Sequence, residues 1–340
     1  MTRVNRRWVM AERPTGDLEA RHFRLESVPI PEPGPGEFLV RSLYLSVAPV
    51  MRMYMIDGAG IEKPLAIGDT MLGRGVGEVV ASRHPDYPVG EIVHGKLGWQ
   101  EYCLCDGSPW FMLYKVRQRV APVSTALGVL GITGFTAYLG LTQIGGLRAG
   151  DRVLVSGAAG GVGSNCGWIT RNLGASAVGL AGTREKCALL TGKLGYEAAI
   201  HYREENVEAR IGELCPQGVD LIFDNVGGAV LDAALAHLNR YGRVVLCGRI
   251  SQYFAGEEER YALRNWWRIG KQRASMRGFF IYDLAEHFAE AEAALAGWIA
   301  EGRMAWQEDI LEGIEHMPRA LIRLFEGGNV GKQLVSVCAR

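Results

Sequence analysis

The chain has 340 residues, 48% hydrophobic and 22% charged, and its 37 basic and 37 acidic side chains cancel to a formal net charge of +0. That length allows two domains with separate cores, and the charge balance excludes a protein built around a nucleic-acid or anionic-membrane surface. No apolar run is long enough to span a membrane, and the basic start Met1-Thr-Arg-Val-Asn-Arg-Arg-Trp8 is not followed by the apolar stretch of a signal peptide, so a cytoplasmic protein is expected. The seven cysteines (103, 105, 166, 187, 215, 247 and 338) are odd in number and scattered, which reads as reduced thiols. None pairs with another cysteine pair or a histidine pair at zinc-ligand spacing, so no metal is expected.

In chain order, Pro29-Ile-Pro-Glu-Pro-Gly-Pro-Gly36 is a loop, because proline can neither continue a helix nor donate within a sheet. Glu37–Ser46 is a strand, and Gly75–Ala81, Glu91–His94 and Trp99–Leu104 are further short strands divided by turn residues. Many short strands of this kind predict a partly open barrel. At Ser124 the texture changes: Thr125–Thr142 is small, apolar and predicted helical. The expected division is a β-rich substrate domain over 1–125 with 308–340, and a dinucleotide-binding domain over 126–307.

Val153-Leu-Val-Ser-Gly-Ala-Ala-Gly-Gly-Val-Gly163 is a short buried strand breaking into a glycine turn, followed by a helical stretch to Leu173 with Trp168, Ile169 and Leu173 on one face. Gly157, Gly160 and Gly163 stand three apart. The first permits a tight turn, the second lets backbone approach a pyrophosphate, and the third lets helix pack on strand. The pattern taken alone also fits a turn that merely joins strand to helix. The strands that follow at βα intervals, Ala177–Ala181, Gly218–Asp224 and Gly242–Gly248, make it part of a doubly wound parallel sheet, an α/β fold of Rossmann type.

Dinucleotide-binding folds that take NAD usually place an acid at the end of the second strand, for the ribose hydroxyls. Here that stretch is Ala181-Gly-Thr-Arg-Glu-Lys186: Gly182 holds the acidic place, and Thr183, Arg184 and Lys186 suit a 2′-phosphate. NADP(H) is therefore favoured, although Arg184 and Lys186 also read as solvated charges at a helix start, and Glu185 as a cap. Beyond Gly248, a polar loop from Arg249 to Arg260 lies where open α/β sheets meet their ligands. Tyr253 in that loop is the best-placed acid, or equally a ring packed on the cofactor. Ala274–Tyr282 reads as a strand, Leu284–Arg303 as helix, and Ile314–Glu326 as helix; Lys332–Cys338 closes the chain and returns to the first domain. The seven histidines are isolated, and His94 and His201 read as structural. With no metal and no nucleophile–base pair, hydride transfer is the expected reaction.

Seven stretches together resemble the zinc-independent medium-chain dehydrogenase/reductases, in the group of prostaglandin reductase (leukotriene B4 12-hydroxydehydrogenase), plant alkenal reductases and curcumin reductase. They are Gly68–Gly73, Leu127–Tyr138, Ala158–Gly163, Ala181–Lys186, Phe223–Gly228, Cys247–Ser251 and Gly328–Lys332. The resemblance runs nearly end to end. It implies a GroES-like barrel beside the Rossmann domain and NADPH-dependent reduction of a carbon–carbon double bond conjugated to a carbonyl. It also implies pyrophosphate contacts at Gly160, Gly161 and Val162, a 2′-phosphate contact at Lys186, and adenosine contact at Tyr202. Cofactor contacts are implied at Asn225 and Asn329. Cys247, Gly248, Ile250, Ser251, Phe279, Phe280 and Ile281 would line the nicotinamide side. Tyr253 would assist protonation or orient substrate.

The sequence departs from that group at Val47-Ala-Pro-Val-Met-Arg52, where Ala48 stands for an acid and Val50 for a tyrosine. Val50, Arg52, Arg249 and Tyr253 are then the expected substrate-pocket residues, with a wider and more apolar pocket. Arg249 stands where the group often has a small residue; it suits an acidic substrate or else pairs with one of Glu257, Glu258 and Glu259. A zinc-free quinone reductase and a catalytically silent NADPH-binding sensor are the competing readings. The resemblance implies a homodimer, with Phe279–Tyr282 as an apolar sheet edge.

Overall fold

A computed structural model of the chain describes residues 4–57, 63–253 and 260–337. It forms two compact units: Met1–Leu127 with Asp309–Asn329 and Gln333–Arg340, and Gly128–Glu308 with Val330–Lys332.

The first unit begins with two strands that local sequence did not single out. Strand β1 (Val4–Met10) pairs antiparallel with β2 (Phe23–Pro29), and the Trp8 indole donates to the Ile314 carbonyl at 2.7 Å. The main sheet is built on β3 (Phe38–Ser46); a short helix α1 (Met51–Tyr54) precedes β4 (Gly75–Ser82), β5 (Ile92–Gly95), β6 (Tyr102–Cys105) and β7 (Tyr114–Lys115). Alternate residues of these strands face one core, so Phe38, Val40, Val79 and Val93 are fully buried together with Cys103 and Cys105. The six described cysteines are all free thiols.

His94 on β5 is buried, stacked on Tyr114 at 5.0 Å, with Nδ1 3.3 Å from Arg74 Nη2. Burial, helped by the Arg74 charge, pushes its pKa from 6.5 down to about 3. The folded state therefore holds it neutral while the unfolded chain takes up a proton below about pH 6.5. Its contribution to stability is present above that pH and lost as pH falls towards 3, up to roughly 5 kcal/mol. Urea midpoints measured from pH 7 to pH 4 are expected to fall steeply in the wild type and less steeply in His94→Gln.

The second unit starts with α2 (Ile132–Leu139). The continuous helix expected over Thr125–Thr142 is broken. A 3-10 turn covers Val123–Leu127, α2 follows a gap, and Gly140–Ile144 is a π-helical turn. One carbonyl causes the break: Gly128 O accepts from the N–H groups of Gly131 and Gly134 and, at 2.9 Å, from the Thr133 hydroxyl. Gly134 must be glycine, since a Cβ there would overlap the Val129 carbonyl.

Strands and helices then alternate: β8 (Arg152–Val155), α3 (Gly163–Asn172), β9 (Ser176–Ala181), α4 (Arg184–Gly192), β10 (Ala198–His201), α5 (Val207–Leu214), β11 (Val219–Asp224), α6 (Gly228–Leu235) and β12 (Leu238–Leu246), with α7 (Arg268–Gln272) leading to β13 (Ser275–Gly278). All six strands are parallel, in the order β10-β9-β8-β11-β12-β13. The chain winds to one side from β8 and to the other from β11. The crevice at their carboxyl ends is thus the switch point where ligands of such sheets bind.

The strand expected over Ala274–Tyr282 stops at Gly278. Ile281 is buried and opens a 3-10 turn to His287, while the Phe279 ring packs against Gly140. The apolar edge expected at Phe279–Tyr282 is therefore absent, and the outermost strand is Ser275–Gly278. Helix α8 (Phe288–Ala300) closes this unit.

The chain then returns to the first unit as β14 (Glu308–Glu312), α9 (Met317–Glu326) and β15 (Lys332–Ser336). Helix α9 ends at Gly327 in the left-handed region (φ 69°), and β15 pairs antiparallel with β3, Leu334 opposite Ser46. No helix among the described residues is long and apolar enough to cross a membrane.

Candidate cofactor and active site

The site lies in the second unit, where Ser156 follows β8. Its hydroxyl donates to Asp224 Oδ1 at 2.6 Å and accepts the Asn225 N–H at 2.8 Å; its carbonyl accepts from Asn225 Nδ2 at 2.8 Å. Asp224 Oδ2 takes the Gly227 N–H at 2.9 Å, and Oδ1 that of Val226 at 3.2 Å. Burial pushes the Asp224 carboxyl above its usual range, and the Ser156 hydroxyl and the two N–H groups work the other way. This network ties the ends of β8 and β11 together at the switch point. Sequence reasoning missed Ser156 as its hub, because a serine after a strand carries no distinctive local pattern.

The three glycines differ in what they do. Gly157 has φ 59°, the left-handed conformation the turn needs. A Cβ on Gly160 would meet only Gly157 O, at 3.2 Å, and so would project into open space. A Cβ on Gly163 would overlap Gly157 O and lie 2.7 Å from Ala158 Cα. Among the described residues, the N–H groups of Gly161, Val162 and Gly163 donate to no acceptor. Free N–H groups at the start of the ten-residue helix α3, above an open glycine, fit a pyrophosphate.

A second segment completes this turn from far along the chain. The Gly331 N–H donates to Ala159 O at 2.7 Å and Gly331 bridges Gly160, while the Lys332 side chain runs beside Gly161. Asn329, two residues earlier, is buried.

At the end of β9, Gly182 is held against Tyr202. A Cβ on Gly182 would come within 2.8 Å of the Tyr202 hydroxyl, so a side chain there would have to displace that ring. Thr183 caps α4 by accepting the Lys186 N–H at 3.2 Å. Thr183 is thus the N-cap, and the Glu185 carboxylate, held below its usual range by its own backbone N–H and by Thr183, joins it in the first turn. Arg184 pairs with Glu204 at 2.9 Å. Hydroxyl, lysine and exposed tyrosine at this edge suit a phosphomonoester, and Gly182 puts no carboxylate at the strand end where a ribose diol is usually held.

Beyond β12, Cys247 is half-buried and its thiol is pushed up to about 12 by burial and by Asp224, which excludes it as a nucleophile near neutrality. Gly248 lies close under the Asn225 carbonyl. A 3-10 turn over Ile250–Gln252 is pinned by Ser251 Oγ on Val226 O at 2.7 Å. Tyr253 follows, half-buried, its phenol pushed up by burial and by Cys247 and pulled down by Arg249. Gln252 Oε1 accepts the Tyr261 N–H at 2.9 Å, and Asp232 accepts from the Tyr261 hydroxyl and the Arg264 and Asn265 N–H groups, so both flanks of the loop are fastened. Glu257, Glu258 and Glu259 lie outside the described residues. Phe280 is exposed and its ring meets Tyr282 at 5.1 Å.

In the first unit Ala48 and Val50 are half-buried before α1. Arg52 is buried, and Nη2 donates to the carbonyls of Pro14 (3.3 Å) and Gly16 (3.1 Å), so this guanidinium fastens the chain's own loop. His201 is buried at the end of β10, its N–H on Glu205. Among the described residues no three His, Cys, Asp or Glu side chains gather to hold a metal.

Residues 6–113 match the model of the N-terminal domain of oxidoreductase, and residues 161–297 that of zinc-binding dehydrogenase. The NADPH-dependent curcumin reductase of Escherichia coli (strain K12) is 38% identical over 98% of this chain and 97% of its own. This chain is a medium-chain dehydrogenase/reductase of the curcumin reductase and prostaglandin reductase group. The 2-alkenal reductase (NADP(+)-dependent) of Nicotiana tabacum is 36% identical over 94% of this chain and 92% of its own. The crystal structure of CurA in complex with NADPH from Vibrio vulnificus superposes with a TM-score of 0.92 at 37% identity, covering 98% of this chain and 100% of that one. Membership accounts for the split fold and for the glycine turn at the switch point.

Proposed function

We infer that this reductase uses NADPH to saturate carbon–carbon double bonds conjugated to a carbonyl. The observation that carries the reading is the glycine turn with three undirected N–H groups, joined to a β9 end where Gly182 holds the place of the usual acid, with Thr183 and Lys186 beside it. Relatives named as curcumin, 2-alkenal and (+)-pulegone reductases support the substrate class.

When bound, NADPH supplies the hydride for the β-carbon of the enone. Gly160, Gly161 and Val162 would hold the pyrophosphate, Lys186 and Tyr202 the adenosine end, and Asn225, Asn329, Cys247 to Ser251 and Phe279 to Ile281 the nicotinamide end. Tyr253 donates a hydrogen bond to the carbonyl oxygen as charge develops there, and solvent protonates the α-carbon. The working form is a cytoplasmic homodimer, in which the exposed strand Ser275–Gly278 is the available edge.

NADPH consumption tests this with a short alkenal, an aromatic enone and a quinone, using NADH as control. Saturable enone turnover with NADPH preferred supports the reading; turnover of the quinone alone replaces it with a quinone reductase. Lys186→Ala retains the α4 cap, which uses its backbone N–H. The variant is expected to raise the KM for NADPH by roughly 10- to 100-fold, the worth of a charge-assisted contact, with the NADH value little changed. Equal effects on both cofactors would remove Lys186 from the 2′-phosphate.

A further inference from the structure

Arg249 stands at the carboxyl end of β12, the end at which an open parallel sheet meets its ligand. Its backbone is fixed. The Arg249 carbonyl accepts the Gln252 N–H at 2.8 Å, and the next two N–H groups, of Ile250 and Ser251, reach Asn225 O at 3.3 Å and Val226 O at 3.2 Å. Gly227 lies beside this base: a Cβ there would be in ordinary contact with Arg249 Cβ, at 3.5 Å. The tip, by contrast, is exposed, and among the described residues no hydrogen bond or ion pair engages the guanidinium. Exposure alone does not produce this, since Arg184, with 81% of its side chain exposed, is paired with Glu204. The Arg249 charge is felt by the Tyr253 phenol, so guanidinium and phenol share one locality.

We propose that Arg249 is a specificity-determining residue that receives a carboxylate of the substrate, so that this enzyme prefers enones carrying an acidic group away from the reacting double bond. The inference rests on the reductase reading above. A neutral enone makes no use of a cation there, whereas a carboxylate takes two parallel N–H groups from one guanidinium. A phosphomonoester, nearly doubly charged, would call for further cations. The side chain's rooted base reduces the ordering that such a contact would cost.

The test compares a trans-enone bearing a terminal carboxylate with its methyl ester, and adds an unfunctionalised enone of similar length. Wild type, Arg249→Gln and Arg249→Lys are each assayed with NADPH at low and high salt. The acid is expected to exceed the ester in kcat/KM by about tenfold, mostly through KM, at low salt and less at high salt. Arg249→Gln should bring the acid-to-ester ratio close to one, and Arg249→Lys should keep part of it. Equal use of acid and ester by the wild type, or a ratio unmoved in Arg249→Gln, overturns the inference while turnover of the plain enone leaves the reductase reading standing. No turnover of any of the three overturns both.

Discussion

Gly163→Ala is expected to lose both stability and NADPH affinity. The new Cβ would overlap Gly157 O and lie 2.7 Å from Ala158 Cα, all backbone of the turn itself, so no side chain can move aside. Overpacking of this kind costs about 1–3 kcal/mol, which lowers the midpoint of a domain this size by several degrees. Relief requires the turn to open, and opening it misdirects the N–H groups of Gly161, Val162 and Gly163. Losing one charge-assisted phosphate contact raises the NADPH Kd by roughly 10- to 100-fold. Gly160→Ala separates the two effects, because its Cβ meets only one atom, at 3.2 Å, and projects where the phosphates would lie. That variant should keep its melting temperature and lose affinity. Gly297→Ala, in α8 with nothing within 4 Å, should gain about 0.5–1 kcal/mol. Differential scanning calorimetry and a fluorescence titration with NADPH read all three. Wild-type affinity in Gly160→Ala would place the phosphates elsewhere.

Tyr253→Phe is expected to lower kcat by about 100-fold, the effect of removing one donor to a developing oxyanion. Burial and Cys247 hold the phenol above its ordinary value, against the pull of Arg249, so it remains a protonated donor across the neutral range. Turnover limited by this donor should stay flat through neutral pH and decline only when the phenol ionises, at alkaline pH. In Tyr253→Phe that alkaline limb disappears along with the rate. Undiminished turnover would remove Tyr253 from stabilisation of the enolate oxygen.

Much of the second unit was legible in the amino-acid sequence, because its signals are local. Apolar runs bounded by glycine located β8, β9 and β11 to within a residue or two, and the glycine spacing located the turn. The expectation of NADPH came from Gly182 and Lys186, because cofactor choice depends on charge at one strand end. Continuity of an element was less legible. Thr125–Thr142 has helical composition, yet the demands on the Gly128 carbonyl break it, and Ala274–Tyr282 has strand composition, yet Ile281 turns inward after Gly278. Tertiary structure alone decided that Ser156 joins Asp224, that Gly331 and Lys332 flank the glycine turn, and that the Arg52 guanidinium serves its own loop while that of Arg249 is left facing outward. Periodicity and turn chemistry act between neighbours and leave a pattern in the chain; a hydrogen bond between residues far apart in sequence exists only once folding has brought its two ends together.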